Sequence, residues 1–205
     1  MAQKGFTLWF TGLSASGKTT LSQMVEKRLR ELALKVEILD GDPIRENLSK
    51  GLGFSKEHRD INVLRIGFVC NLLSRNGVAA IAAAISPYRE IRDRNRAQIE
   101  NYVEVFVDAP VEECAKRDPK GLYKKAYAGE IPNFTGVSDP YEAPDKPEIH
   151  VETAKHSPEE CVDQIVYKLM DLGYLPSGKE QEVDQVYTDE EEETVRQRLE
   201  DLGYI

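Results

Sequence analysis

Short unbroken apolar runs alternate along this chain with longer stretches of helical period. "FTLWFT" at 6–11 reads as a buried strand. A helical pattern follows from about Thr19 to Ala33, with Leu21, Val25, Leu29 and Leu32 on one face. "KVEILD" is a second strand, and "PIRENL" after it is helical. "INVLRIGFVCNLLSRNG" is amphipathic, with Gly77 placed as a helix stop. "VAAIAAAI", "YVEVFVDA" and "IHVET" are the third, fourth and fifth strands, with "PYREIRDRNRAQIE" helical between the first two of these. Ser157 to Leu172 is a helix whose Ser157 and Glu160 have capping-box spacing. Residues 117–148, rich in Lys, Gly, Pro and Tyr, show little periodicity.

Strands that alternate with helices predict a parallel sheet covered on both faces, and near-continuous apolar strands fit that burial. Ligands of such sheets bind at the carboxyl ends of the strands. Four segments leave strand ends with interesting side chains: Gly12–Thr19, Asp40–Asp42, Ser86–Arg89 and Asp108 onwards. The third is the puzzling one. An apolar run of Ala, Val and Ile delivers the Ser86 hydroxyl just before "PYR". It could be a nucleophile, a substrate contact or a turn residue.

Composition narrows the class. With 205 residues, 40% hydrophobic and 31% charged, the chain reads as one soluble domain with an appendage. No apolar run approaches the roughly 18 residues of a membrane span, and the start reads as a strand rather than a leader. Three distant cysteines fit neither a zinc site nor a disulfide framework and suggest a reducing, cytoplasmic setting. The net charge of −9 sits almost wholly in residues 180–205, so the body is near neutral and carries no nucleic-acid footprint. The expected organisation is a domain over 1–176 and an acidic tail over 177–205. The tail's "LEDLGYI" echoes "LMDLGYLP" at 169–176, and Thr188 and Glu191 have capping-box spacing, which predicts a short helix there.

"GLSASGKT", Gly12 to Thr19, fits G-x-x-x-x-G-K-[ST] and lies between a predicted strand and a predicted helix. Gly12 and Gly17 let the backbone of Leu13, Ser14, Ala15 and Ser16 wrap phosphate oxygens, with the helix N-terminus at Lys18, Thr19 and Thr20 facing the anion. Lys18 can reach the β- and γ-phosphates, and the Thr19 hydroxyl can hold Mg²⁺. No N-K-x-D speaks for guanine. The small size, "DGD" and the basic segment 117–125 favour a small-molecule kinase. A lid at about 117–136, bearing Lys116, Arg117, Lys120, Lys124 and Lys125 and hinged at Gly121 and Gly129, would exclude water.

On the acceptor side, an aspartate near the loop can take the acceptor's hydroxyl proton or hold the metal through water. Spacing leaves the roles of Asp40 and Asp42 open; Asp42, further into the loop, is the favoured base and Asp40 its support. Arg45, Phe54, Arg59, Asn62 and Arg65 follow, with Arg59 and Asn62 on one helix face. Guanidinium groups near an aromatic ring suit an anionic acceptor with a flat ring.

With these residues in view, the chain resembles the adenylylsulfate kinase (APS kinase) family. The shared stretches are "GLSASGKTT", "LDGD", "LGFS", "HRDINVLRIG", "ISPYR", "VEVFVDAP", "RDPKGLYKKA", "GEIPNFTG" and "DPYEAP", over roughly 5–175. The resemblance implies a P-loop nucleoside-phosphate-kinase-like three-layer α/β sandwich with a mainly parallel five-stranded sheet, a mobile lid and a helical tail. It implies transfer of the ATP γ-phosphate to the 3′-hydroxyl of adenylyl sulfate, in a cytoplasmic homodimer using Mg²⁺. It assigns Asp42, Arg45, Phe54, Arg59, Asn62, Ile85, Ser86, Lys120, Asn133 and Phe134 to adenylyl sulfate, with Phe54 and Phe134 on opposite faces of its adenine, and Arg117 to the ATP base. In the family the position of Ser86 is traditionally assigned as a phosphoserine intermediate, which sets it with Asp42 and Lys18 as catalytic. A nucleophilic serine needs a base, and no histidine in the sequence offers itself; Asp42 could serve, or could equally activate the acceptor hydroxyl for direct in-line transfer. Pro43 departs from the family's usual Asn. The rival readings are a kinase for another anionic acceptor, whose motifs would differ at 120–141, and a silent nucleotide sensor, which should have lost Lys18 or Thr19.

Overall fold

A computed structural model describes residues 3–176, apart from the side chains of Asp42 and Pro43. The expected tail helix lies outside the described residues. The chain divides after Tyr174, and the sheet and its helices all belong to the unit before that point.

Five strands form one sheet in the order β2-β3-β1-β4-β5: β1 (Phe6–Thr11), β2 (Val36–Asp40), β3 (Ala79–Ala83), β4 (Tyr102–Asp108) and β5 (Ile149–Glu152). Every pairing is parallel. β1 and β3 are buried along their whole length, which is why they read as apolar runs rather than alternations. Helices α1 (Lys18–Glu31) and α7 (Pro158–Asp171) pack together, as do α3 (Lys56–Ser74) and α4 (Arg89–Gln98). Trp9, Leu39, Ala80, Ala82 and Tyr102 meet Val63, Ile66 and Ile91 in one core layer. The alternate residues of the same strands, such as Leu8, Phe10 and Ile81, are fully buried on the opposite face.

The structure departs from the sequence reading in several places. β3 ends at Ala83, so Ile85 and Ser86 belong to the loop after it. α3 starts at Lys56, where Ser55 caps it by accepting from the His58 amide. Two short helices were not foreseen, α5 (Val111–Arg117), just before the aperiodic stretch, and α6 (Leu122–Tyr127), within it. α2 (Gly41–Asn47) starts two residues before Pro43, with Asp40 as its N-cap accepting from the Gly41 amide. The capping box at Ser157 and Glu160 forms as read.

α3 and α4 cross closely at Gly67. A Cβ built there would stand 2.1 Å from Oδ1 of Asn95, itself fully buried and donating to the Val63 carbonyl. Gly67→Ala gains about 1 kcal/mol of helix propensity, but overpacking costs typically ~1–3 kcal/mol. The net expectation is a lower midpoint in urea unfolding; an unchanged or raised midpoint would refute the crossing as described.

Candidate active site

The glycine loop leaves β1 at the carboxyl edge of the sheet. Gly12 has φ 151°, and a Cβ there would lie 2.4 Å from the Val107 carbonyl oxygen of β4, so only glycine lets the loop start this close to its neighbour. Ala15 sits at φ 58°, and Gly17 caps α1. The loop's carbonyls turn outward, each to a donor. Leu13 O accepts from Lys18 Nζ at 2.6 Å and Ser14 O from the Tyr123 hydroxyl at 3.1 Å. Ser16 O accepts from Thr153 Oγ1 at 2.8 Å, and Arg117 reaches the Ser16 and Ala15 carbonyls at 3.4 and 3.5 Å. Carbonyls engaged in this way leave room for loop N–H groups to face an anion, although the Ser16 amide donates within the loop to Leu13 O at 3.2 Å. The Ser16 hydroxyl is buried with no partner among the described residues.

Lys18 is buried, and burial lowers its ammonium to about 8, against the opposing pull of Cys114 and Asp40. Thr19 Oγ1 donates to Asp40 Oδ1 at 3.3 Å, which also accepts from the Gly41 amide at 2.7 Å. These two oxygens at the mouth of the loop fit a hard divalent cation that takes its remaining ligands from water and phosphate. Among the described residues no cluster of three or more His, Cys, Asp or Glu could hold a metal by itself. Thr20 is exposed in the same first turn.

Arg117 ends α5 and donates to Thr153 through both arms, to the hydroxyl at 3.0 Å and the carbonyl at 2.7 Å. Thr153, just beyond β5, is a residue that sequence reasoning missed; its only signal is that it follows a strand end. Gly121 and Gly129 flank α6 with φ 65° and 76°, and a Cβ at either meets nothing within 4 Å. Lys120, Lys124 and Lys125 are exposed.

Two contact groups form among the residues that the resemblance assigns to the acceptor, Arg45 with Phe54 and Arg59 with the 133–139 stretch. Phe54 is 63% exposed, with the Arg45 guanidinium 4.4 Å from its ring centroid. His58 accepts from the Gly53 amide at 2.8 Å and so shapes the loop carrying Phe54. Asn62 is buried, and its Oδ1 has no partner among the described residues, an orphan acceptor on the face it shares with Arg59. Arg59 donates to Thr135 Oγ1 at 2.8 Å, Asp139 Oδ2 at 2.6 Å and the Asn133 carbonyl, joining α3 to the end of the predicted lid. Phe134 packs edge-on against Tyr123 at 5.0 Å in a small core with Leu13, Cys114 and Ala126. No ring contact joins Phe54 and Phe134 among the described residues. Asp42 lies in the first turn of α2; its side chain is outside the described residues.

Ser86 is 2% exposed at φ 40°. Its Oγ accepts from Trp9 Nε1 at 3.1 Å and lies 3.0 Å from Thr11 Oγ1, to which it donates. Thr11 donates in turn to the Ile85 carbonyl at 2.8 Å and meets the Tyr141 hydroxyl at 3.0 Å. Trp9 and Thr11 were not legible as site residues, being a core tryptophan and a strand-end threonine with no motif of their own. His150, also unforeseen, pairs with Asp108 at 3.0 Å and stacks on Phe106.

A glycine loop between strand and helix, with a buried lysine and a metal-suited oxygen pair at its mouth, defines a P-loop phosphotransferase of the small-kinase type. Comparison with known proteins makes the class particular. The adenylylsulphate kinase family model matches residues 4–152. An adenylyl-sulfate kinase of Rippkaea orientalis is 59% identical over 175 residues, 85% of this chain and 97% of that one. The Mycobacterium tuberculosis APS kinase, solved with AMPPNP and APS, superposes with a TM-score of 0.78 at 40% identity, over 82% of this chain and 99% of that one. A hexameric APS kinase from Thiobacillus denitrificans gives 0.66 at 39% identity, over 85% of this chain and 30% of that one. The chain belongs to the adenylylsulphate kinase family, enzymes that phosphorylate a hydroxyl acceptor. Among the described residues no helix is long and apolar enough to cross a membrane.

Burial of Lys18 has a measurable consequence. Its ammonium is lowered from 10.5 to about 8 in the fold. An anionic phosphate arriving beside it raises that value again, so above pH 8 binding of a nucleoside triphosphate should take up a proton. Calorimetry at about pH 9 in two buffers of different ionisation enthalpy should report that uptake. Lys18→Met should abolish it; uptake unchanged in that variant would assign the proton elsewhere.

Proposed function

We propose that this chain transfers the γ-phosphate of ATP to the 3′-hydroxyl of adenylyl sulfate, giving 3′-phosphoadenylyl sulfate and ADP. The observation that carries the reading is the phosphate loop with its buried Lys18, in one chain with the Arg45–Phe54 pair, the Arg59 guanidinium and an Asn62 amide oxygen that has no partner among the described residues. An anionic, adenine-bearing acceptor suits guanidinium groups and an exposed ring. Relatives named for this activity at more than half identity support it.

In this reading the loop amides and Lys18 hold the phosphates of ATP and offset the charge of the transferring group. Thr19 and Asp40 would hold a Mg²⁺ ion, which would supply positive charge against the phosphates. Asp42 takes the acceptor's proton. Arg117 lies toward the ATP base, and Lys120, Asn133 and Phe134 close over adenylyl sulfate from the lid. The catalytic unit spans 1–176 and works in the cytoplasm as a homodimer. The test of the activity is ADP release with ATP, Mg²⁺ and adenylyl sulfate. Lys18→Ala should lower turnover by more than about 100-fold, and ADP no higher than in the adenylyl-sulfate-free control would sink the assignment.

Transfer is direct, and Ser86 carries no phosphate. What supports this is that the Ser86 hydroxyl is buried and engaged on both sides, by Trp9 as donor and by Thr11 as acceptor, with no histidine or carboxylate hydrogen-bonded to it among the described residues, which do not include the Asp42 side chain. A nucleophilic serine needs such a base. Ser86→Ala should therefore keep kcat within about threefold. It should lower stability by about 1–2 kcal/mol as the Trp9 N–H loses its acceptor. Loss of turnover in a folded variant, with phosphoserine trapped in the wild type, would reverse this conclusion.

A further inference from the structure

Arg92, in the first half of α4, is 1% exposed, and the phosphoryl transfer makes no direct use of it. Its guanidinium donates in three directions. Nε donates to Glu104 Oε1 of β4 at 2.9 Å. Nη1 donates to the Ser86 carbonyl at 2.6 Å. Nη2 donates to the Glu142 carbonyl at 2.6 Å. The charge is balanced in place, since Glu104 also takes Arg96, and Arg96 takes Glu148. Two arms of the guanidinium are therefore directed to backbone rather than to charge, and each fixes a different segment. One is the turn that follows β3, where Ser86 holds φ 40°. The other is the stretch 139–145, onto which the predicted lid opens.

These two segments are also stitched to each other. The Glu142 amide donates to the Pro87 carbonyl at 2.9 Å, the Arg89 amide to Glu142 Oε2 at 2.7 Å, and the Tyr88 hydroxyl to Asp139 Oδ2 at 2.7 Å. Asp139 in turn holds Arg59. The chain of contacts runs from a buried cation, through the Ser86 turn and the lid root, to the guanidinium that faces the acceptor. The three bonds of Arg92 lead away from the phosphate loop, which Lys18, Tyr123, Thr153 and Arg117 hold instead.

We propose that Arg92 is a positioning residue for the acceptor half of the site: its fork sets the spacing between the Ser86 turn and the root of the lid, and so sets affinity for adenylyl sulfate while leaving ATP binding alone. Only a planar, multi-armed cation meets three acceptors in these directions. A lysine supplies the charge for Glu104 from a single centre and cannot span the two carbonyls as well.

The proposal rests on the activity proposed for this chain, and its test separates the two. Wild-type turnover with adenylyl sulfate is measured first; if no ADP forms, that reading fails, whatever Arg92 does. In Arg92→Lys the expected result is a rise of about tenfold or more in KM for adenylyl sulfate, with KM for ATP changed by less than about twofold. Independently of any substrate, hydrogen exchange at the Glu142 amide should quicken while the amides of α1 keep their protection. The double variant Arg92→Met/Glu104→Gln removes both buried charges at similar volume and should show the same split, which covers failure of the lysine variant to fold. Both KM values within twofold of wild type, a parallel rise in the two, or unaltered exchange at Glu142 each overturns the proposal. Failure of both variants to fold assigns Arg92 to stability and overturns it as well.

Discussion

The constraint on which this site depends is a buried ammonium with no carboxylate hydrogen-bonded to it among the described residues. Lys18 donates to the Leu13 carbonyl, Asp40 acts on it only through its charge, and burial dominates its titration. An unpaired charge in a dry place is expensive unless an anion is expected there. The surroundings are consistent with that expectation. The loop carbonyls are drawn outward by Tyr123, Thr153 and Arg117, which come from α6, the end of β5 and the end of α5. Three distant parts of the chain thus keep one loop's negative dipole ends away from the place where phosphate would lie. Gly12 permits this because no Cβ stands between the loop and the β4 carbonyl at Val107.

The acceptor side is built by the opposite device. Around Ser86 nearly every polar atom is already paired: Ile85 O with Thr11, Ser86 Oγ with Trp9 and Thr11, Ser86 O with Arg92, Pro87 O with Glu142. A wall with its hydrogen bonds made internally keeps its shape, even with a backbone angle as uncommon as Ser86's. Asn62 Oδ1, on α3, is by contrast one of the buried polar atoms without a partner among the described residues, and native proteins rarely leave such an atom without cause.

Much of this was legible in the sequence. The five strands were, because parallel strands buried on both faces are unbroken apolar runs and few other patterns produce them. So were the loop residues 12–19, which carry a spacing with a mechanism. α5 and α6 were not, since helices of seven and six residues complete too few turns to show a period. Thr11, Trp9, Thr153 and Arg92 were not either. Each acts through a partner between 6 and 137 residues away, and such contacts depend on strand order, which spacing does not reveal. Ser86 was read as a chemical residue because it ends an apolar run; its partners are a tryptophan and a threonine on β1, a strand far off in sequence.

Strand order also explains why donor and acceptor meet. β1 lies between β3 and β4, so its last residue has the acceptor turn on one side and the lid's return on the other. Thr11 is that residue. Its hydroxyl donates to Ile85 O, lies against Ser86 and meets Tyr141, and the next residue in the chain is Gly12, where the phosphate loop begins. The segments that leave β1 and β3 therefore start one interstrand spacing apart, roughly 5 Å, fixed by backbone hydrogen bonds rather than by side-chain packing. A phosphoryl group passing in line between two oxygens needs its donor and acceptor held to within a fraction of an ångström. A sheet supplies that more firmly than a loop could. What is left for the lid is exclusion of water, and its root is tied through Glu142 and Asp139 to the same turn that Thr11 holds.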